Sequence, residues 1–272
     1  MSDTQRQEYK VSRAQHPADT CVTVGAATVG GGNFLLIAGP CSVESAEQIA
    51  TTATAVKAAG AQVLRGGAFK PRTSPYDFQG LAEEGIQLLL QAGRAAKLPV
   101  VTEIVDAQQI PAFAEVDIIQ VGARNMQNFS LLRQLATLNK PVLLKRGFGN
   151  TLDELLSSAE YLLSGGNDQV ILCERGVRSF DPALRCALDV AAIARLKELT
   201  HLPVIVDPSH ATAAAHLLRP VALAAVAAGA DGLMIEVHPD PASALCDGQQ
   251  SITPAAFAAL AQDVAALRAA LR

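Results

Sequence analysis

Tryptophan is absent from the 272 residues, and aromatics together make up only 4%. Side-chain platforms for stacking nucleobases or sugars are therefore not expected. Charge is also sparse, at 18% of residues with a net charge of −4. That balance excludes a general nucleic-acid binder, which needs a basic face. Hydrophobic residues reach 50%, which excludes a disordered chain. No apolar run reaches the roughly 18 residues of a membrane span without charge or Gly/Pro punctuation, so no transmembrane helix is expected. Met1 to Lys10 is polar and lacks the apolar core of a secretory signal. Cys21, Cys41, Cys173, Cys186 and Cys246 are odd in number and scattered. They do not form a disulfide framework, and a reducing cytoplasm is the expected location.

What remains is length and rhythm. Residues 1–33 stand apart as an N-terminal extension, with Thr20 to Val24 and the glycines 30–32 reading as a short β-hairpin. It would cap the barrel bottom or join a subunit interface. From residue 34 to 272, eight short apolar runs alternate with eight Ala/Leu/Glu-rich helical stretches. The runs fall at 34–38, 62–66, 100–104, 118–122, 142–146, 170–174, 204–207 and 232–237. They are apolar throughout, as parallel strands buried on both faces must be. The helical stretches are expected near 44–59, 80–97, 106–115, 127–138, 151–164, 183–199, 212–228 and 253–271. Gly60, Pro99, Pro141, Gly165, Pro203 and Gly229 lie between helix and strand. Eight βα units in this length predict an α/β fold of the (β/α)8 TIM-barrel type. A doubly wound sheet is disfavoured because no glycine-rich dinucleotide fingerprint is present.

A barrel of this kind works at the C-terminal ends of its strands. Nearly every run here ends in polar residues: Cys41-Ser42, Arg65 then Lys70 to Ser74, Glu103, Arg124-Asn125, Lys145-Arg146, Glu174-Arg175, Asp207 to His210, and Glu236 to His238. Scattering so many charges over unrelated buried positions would be costly, so they are expected to share one pocket. Arg65, Lys70, Arg72, Arg124, Lys145, Arg146 and Arg175 suit an anionic small molecule with more than one phosphate or carboxylate. A salt bridge to Glu103 or Glu174 is the ordinary reading of any one of them. Arg146 is the first candidate for that, since it points away from Lys145 across the strand. Cys41, His210 and Glu236 follow strands one, seven and eight, neighbours once the barrel closes, and Asp247 lies in the loop beyond. One thiol, one imidazole and two carboxylates suit a single divalent ion such as Mn, Fe, Co or Zn. Taken singly, Cys41 is a core thiol and His210 a phosphate contact.

The motifs GPCSVES (39–45), LRGGAFKPRTSPYDFQG (64–80), VGARNMQN (121–128), LKRG (144–147), CERG (173–176), VDPSHA (206–211), IEVHPDP (235–241) and CDGQQS (246–251) resemble one family in this order. It is the 3-deoxy-D-arabino-heptulosonate 7-phosphate (DAHP) synthases, type I-beta branch, grouped with the octulosonate 8-phosphate synthases. The resemblance implies a metal-dependent transferase that condenses phosphoenolpyruvate with erythrose 4-phosphate and releases phosphate, at the entry to the shikimate pathway and aromatic amino acid biosynthesis. It implies Cys41, His210, Glu236 and Asp247 as metal ligands. Arg65, Lys70, Gly122, Ala123, Arg124, Lys145 and Arg175 would receive phosphoenolpyruvate, and Pro71, Arg72, Thr73 and Ser74 the aldose phosphate. Glu103, Asp207 and His238 would support them or relay protons. Lys145, crowded by cations, is expected to have a lowered pKa and to shuttle a proton, with Cys41 and His210 as the other catalytic groups.

Lys-Pro-Arg-Thr-Ser separates this chain from the octulosonate synthases, whose loop carries Asn in place of Pro71 and whose aldose is arabinose 5-phosphate. Neuraminate-type synthases do not share these loops. A Schiff-base aldolase using Lys145 would leave the Cys/His/Glu/Asp set without purpose, and a barrel that binds without catalysing would lack one of the ligands. The resemblance also implies a cytoplasmic homo-oligomer, a dimer or tetramer. No in-chain regulatory module is expected, and hence no inhibition by Phe, Tyr or Trp through one. Cys246, beside Asp247, is expected to approach Cys41.

Overall fold

The computed structural model describes residues 8–72 and 74–271. A two-stranded antiparallel hairpin comes first, β1 (Val22–Val24) against β2 (Ala27–Val29). Eight parallel strands then close on themselves: β3 (Leu35–Gly39), β4 (Val63–Arg65), β5 (Val100–Ile104), β6 (Ile118–Val121), β7 (Val142–Lys145), β8 (Val170–Glu174), β9 (Val204–Val206) and β10 (Gly232–Glu236), with β10 pairing β3. The fold is the expected (β/α)8 barrel.

Seven of the eight expected helical stretches hold α-helices: α1 (Ala46–Ala58), α2 (Ala82–Ala96), α3 (Phe129–Ala136), α4 (Leu152–Ser164), α5 (Val190–Leu199), α7 (Ala215–Ala227) and α8 (Pro254–Ala270). Their starts follow local chemistry. Ser45, Thr151 and Thr253 cap α1, α4 and α8 by accepting a backbone N–H three residues on, and Glu154 completes a capping box.

Three helix expectations are corrected. The 106–115 stretch forms a 3-10 helix, Ala107–Phe113, because Pro111 inside it lacks an N–H. Helix α5 begins at Val190 rather than 183. Residues before it are drawn into a bridge in which Val177 and Ala187 exchange backbone hydrogen bonds, and Asp189 then caps the helix. The 212–228 stretch splits: a five-residue helix α6 (Pro208–Thr212) ends at Ala213, which has a left-handed φ of 50°, before α7 begins.

Alternation along the strands sorts the side chains. One set (Leu36, Leu64, Ile119, Leu144, Leu172, Val206, Ile235) packs against the helices in the main core. The other set (Leu35, Ile37, Val63, Val101, Ile118, Leu143, Ile171, Ile205, Met234) forms a second cluster together with Val22, Val24, Ala27 and Val29 of the hairpin. The hairpin therefore seals the lower end of the barrel interior, the first of the two roles expected for it. No helix among the described residues is long and apolar enough to cross a membrane.

Candidate active site

Two residues above the lower apolar layer, the same inward face changes character. Val63 gives way to Arg65, Val101 to Glu103, Ile118 to Gln120, Leu143 to Lys145, Ile205 to Asp207 and Met234 to Glu236. Above this layer Glu103, Lys145 and the loops after the strands line an open cleft. Lys70, Pro71, Arg72, Glu103, Ala123, Arg124, Lys145, Arg175, His210 and Asp247 line it, so most of the expected site residues share one pocket.

Cys41, His210, Glu236 and Asp247 each offer a donor atom, and the four atoms lie within 4.8 Å of one another. Strands β9, β10 and β3 are adjacent, which is why residues far apart in sequence meet. Asp207 accepts from the His210 ring at Nδ1 (2.7 Å) and from its backbone N–H (3.0 Å). That bond fixes the tautomer and leaves the Nε2 lone pair facing Glu236 Oε1 (3.4 Å) and Asp247 Oδ2 (3.8 Å). Burial lowers the His210 pKa against the pull of Asp207 and Glu236, so the ring stays neutral, the form that binds metal. Burial is the largest single influence on the carboxyl groups of Asp207, Glu236 and Asp247 and pushes them upward, but their charged and hydrogen-bonding neighbours together outweigh it, and all three are held below their usual values. Lys145 adds to this at Asp207, and Arg65 at Glu236.

Glu236 Oε1 is buried and accepts no hydrogen bond; Arg65 Nη2 stands 3.1 Å away in poor geometry. Asp247 holds a left-handed φ of 53°, which Asp tolerates better than most residues. An orphaned carboxylate oxygen, a neutral imidazole with its lone pair turned inward and a thiol at the same point form a donor set that fits a divalent transition ion. The Cys41 and Cys246 sulfurs are 3.3 Å apart, as their expected approach requires. Their shared hydrogen bond, with burial, holds the Cys41 thiol well above its ordinary pKa and draws that of Cys246 down.

The cations divide into paired and unpaired. Arg146 faces away from the cleft and bonds Glu174 (2.9 Å) and Asp189 (3.1 Å), the structural salt bridge expected of it. Lys145 is corrected: its nearest charge is not a cation but Asp207, at 2.5 Å. The crowding argument for its proton shuttling therefore does not hold, and any such role has to run through the Asp207 contact. Arg65 lies off the main cleft, on a small adjoining hollow shared with Lys70 and Glu103, and its buried Nε and Nη1 have no partner. Lys70 Nζ donates to Cys41 Sγ at 3.0 Å and to Cys41 O at 3.1 Å. Arg175 is buried and hydrogen-bonds Gly176 O, Cys186 Sγ and His210 O, none of them a carboxylate. Arg124 also has no acidic partner among the described residues. Both guanidiniums lie over the Phe148 ring, 5.4 and 4.6 Å from its centre.

Arg72 is shared between Asp77 Oδ2 (3.3 Å) and Cys246 Sγ (2.7 Å). Ser74 Oγ accepts from Tyr76 N at 3.2 Å, bracing the turn, and Thr73 lies outside the described residues. Glu103 accepts from Gln120 at 2.7 Å, and Gly122 makes room for it, since a Cβ there would collide with Glu103 Oε1. His238 has no hydrogen bond or ion pair to the four clustered residues. It pairs with Glu44 at 3.3 Å, and Glu44 in turn accepts from Ser42 and Leu245, tying together the loops that carry Cys41 and Asp247.

Sequence reasoning missed Phe148, Asp77 and Arg185, which also line the cleft, and Gln250, which donates to Glu236 Oε2 at 2.6 Å. Gln250 sits in a quoted motif and could have been noticed. Phe148 and Arg185 carry no spacing signal.

A closed barrel whose mouth gathers unpaired guanidiniums beside a soft-and-hard ligand cluster defines an enzyme class that handles small anions with a metal's help. Residues 9–271 match the DAHP synthetase I family, and the chain belongs to it. It is 50% identical over 265 residues to phospho-2-dehydro-3-deoxyheptonate aldolase of Thermotoga maritima, covering 97% of this chain and 78% of that one. A crystal structure of the Thermotoga maritima DAHP synthase superposes with a TM-score of 0.94 at 48% identity over the same shares. More distant is 2-dehydro-3-deoxyphosphooctonate aldolase of Desulfotalea psychrophila, at 33% identity over 82% of this chain and 86% of its own.

Proposed function

We propose that the protein is a DAHP synthase: it condenses phosphoenolpyruvate with D-erythrose 4-phosphate and water, giving 3-deoxy-D-arabino-heptulosonate 7-phosphate and phosphate. The observation that carries this reading is Arg175. A fully buried guanidinium with no carboxylate partner, in the same cleft as Arg124, is built for an anionic ligand. The 50% identity to an enzyme named for this product supports it over the octulosonate reading at 33%.

Arg124 and Arg175 hold the phosphate of phosphoenolpyruvate, with Lys145, Lys70 and Arg65 toward its carboxylate; Gly122 and Ala123 shape that wall. Pro71, Arg72, Thr73 and Ser74 receive the aldose phosphate. Holding two mutually repelling anions in contact is the first service of these cations. C3 of phosphoenolpyruvate attacks the aldehyde carbon, positive charge develops at C2, water adds there, and the adduct collapses with loss of phosphate. Arg124 and Arg175 stabilise the charge on the departing phosphate. Lys145, held by Asp207, serves as the proton carrier, and Glu103, which lines the same cleft, as a further carboxylate acceptor.

Cys41, His210, Glu236 and Asp247 would hold one divalent ion, Mn, Fe, Co or Zn, which would polarise the aldehyde carbonyl. The enzyme works in the cytoplasm as a homo-oligomer on this reading. The test is phosphate release from phosphoenolpyruvate with erythrose 4-phosphate or arabinose 5-phosphate, with and without EDTA. Turnover with the four-carbon sugar, lost in EDTA and restored by Mn, is the expected result. Turnover with the five-carbon sugar alone, or EDTA-resistant turnover, overturns the substrate or the metal assignment respectively.

A further inference from the structure

The segment 177–187 plays no part in the reading above. Its ends are pinned by the Val177–Ala187 pair, with N–H to carbonyl distances of 3.0 and 2.9 Å. Arg178 N donates to Phe148 O at 2.7 Å, and the buried Cys186 accepts from Arg175 at 3.1 Å, so the flap is anchored to the walls of the cleft. Arg185, next to Cys186, lines the cleft. It makes no hydrogen bond or ion pair with any described residue.

Arg72 lines the same cleft. The two guanidiniums reach it from loops after β4 and β8, which stand on opposite sides of the eight-stranded barrel. Arg72 is already shared with Asp77. Alone it supplies little of the charge a phosphate dianion needs, while Arg185 forms no ion pair among the described residues.

We propose that Arg185 binds the phosphate of the aldose phosphate from the wall opposite Arg72, completing a two-arginine clamp on the second substrate. This rests on the phosphoenolpyruvate–aldose phosphate reading and deepens it. Bidentate guanidinium contacts from two sides fix both position and orientation of a phosphate, which a single partly neutralised arginine does not.

The experiment is steady-state kinetics of wild type, Arg185→Gln and Arg185→Lys with both substrates varied, alongside thermal melts. Arg185→Gln should raise KM for erythrose 4-phosphate about tenfold or more, the loss expected for one charge-assisted hydrogen bond. KM for phosphoenolpyruvate and the melting temperature should stay near wild type, because the side chain is exposed and bonded to nothing else. Inorganic phosphate should compete less well against erythrose 4-phosphate in the Gln variant, and Arg185→Lys should recover part of the affinity. An unchanged KM for erythrose 4-phosphate with an active wild type overturns the clamp alone. An equal rise in both KM values assigns Arg185 to the wrong anion and also overturns it. A wild type inactive with phosphoenolpyruvate and either sugar brings down the parent reading as well.

Discussion

Leu143 and Lys145 sit two residues apart on β7 and face the same interior, yet they belong to different worlds. Around Leu143 every inward neighbour is apolar, and the hairpin β1–β2 covers the layer from below. Around Lys145 the inward neighbours are Arg65, Glu103, Gln120, Asp207 and Glu236, with loops and a cleft above. Below, removal of each Val, Leu or Ile from water contributes roughly 1.5–3 kcal/mol and holds the barrel shut. Above, ionic groups are taken from water at a cost, and their mutual pairing only partly offsets it. The cost is visible as leftover capacity: Arg65 Nε and Nη1 and Glu236 Oε1 have no hydrogen-bond partner. Closure and chemistry are thus stacked along the same strands, one pleat apart.

The comparison breaks most sharply at Lys145. Lys145→Met should lower kcat by about 100- to 10,000-fold, the range for a lost proton-transfer group. If kcat survives while the melting temperature falls, the upper layer is merely structural there. Asp207→Asn should be milder. It keeps the shape but weakens the hold on the His210 ring and Lys145, and calorimetric metal titration should show affinity reduced by about 10- to 100-fold. In the lower layer the expectation reverses. Val29→Ala in the hairpin should cost about 2 kcal/mol in denaturant unfolding and leave kcat untouched. A changed kcat there would mean that the hairpin does more than close the barrel.

The smallest effect concerns pH at the bottom of the barrel. His201 bonds Lys10 O (2.9 Å) and Thr20 Oγ1 (2.6 Å), clamping the N-terminal segment. Burial lowers its pKa from 6.5; the Lys10 hydrogen bond opposes this, while His16 and Arg13 add to it. Below pH 6.5 the unfolded chain therefore binds more protons at this site than the folded one. Stability is full above that value and declines as pH falls through it, whereas kcat on the upper layer is not coupled to this ring. His201→Gln should flatten that part of the unfolding curve.

Much of the barrel could be read directly. Val170 to Glu174 and Val100 to Ile104 are strands as expected because continuous apolar runs of five suit a sheet covered on both faces. Residues 183–189 misled because Ala, Leu and Arg favour helix locally, while the Val177–Ala187 pair and the Cys186–Arg175 contact hold them in a loop. The site was legible for a related reason. Strand ends are sequence positions, so the sequence alone places Cys41, His210 and Glu236 at one mouth. Which cations remain unpaired was not legible, since Lys145 and Arg175 carry the same charge in a sequence and acquire opposite circumstances only from their neighbours.

Periodicity, strand-end polarity and motif order are local properties of the chain, and by themselves they determined the barrel, its catalytic end and its family. Partnership is a property of space. Only the folded barrel put Cys41 beside Asp247, turned Lys145 to Asp207, left Arg175 without an acid and brought Arg185 to the cleft. Coulomb and hydrogen-bond energies depend on distances between residues far apart in sequence, and those distances exist only in the folded molecule.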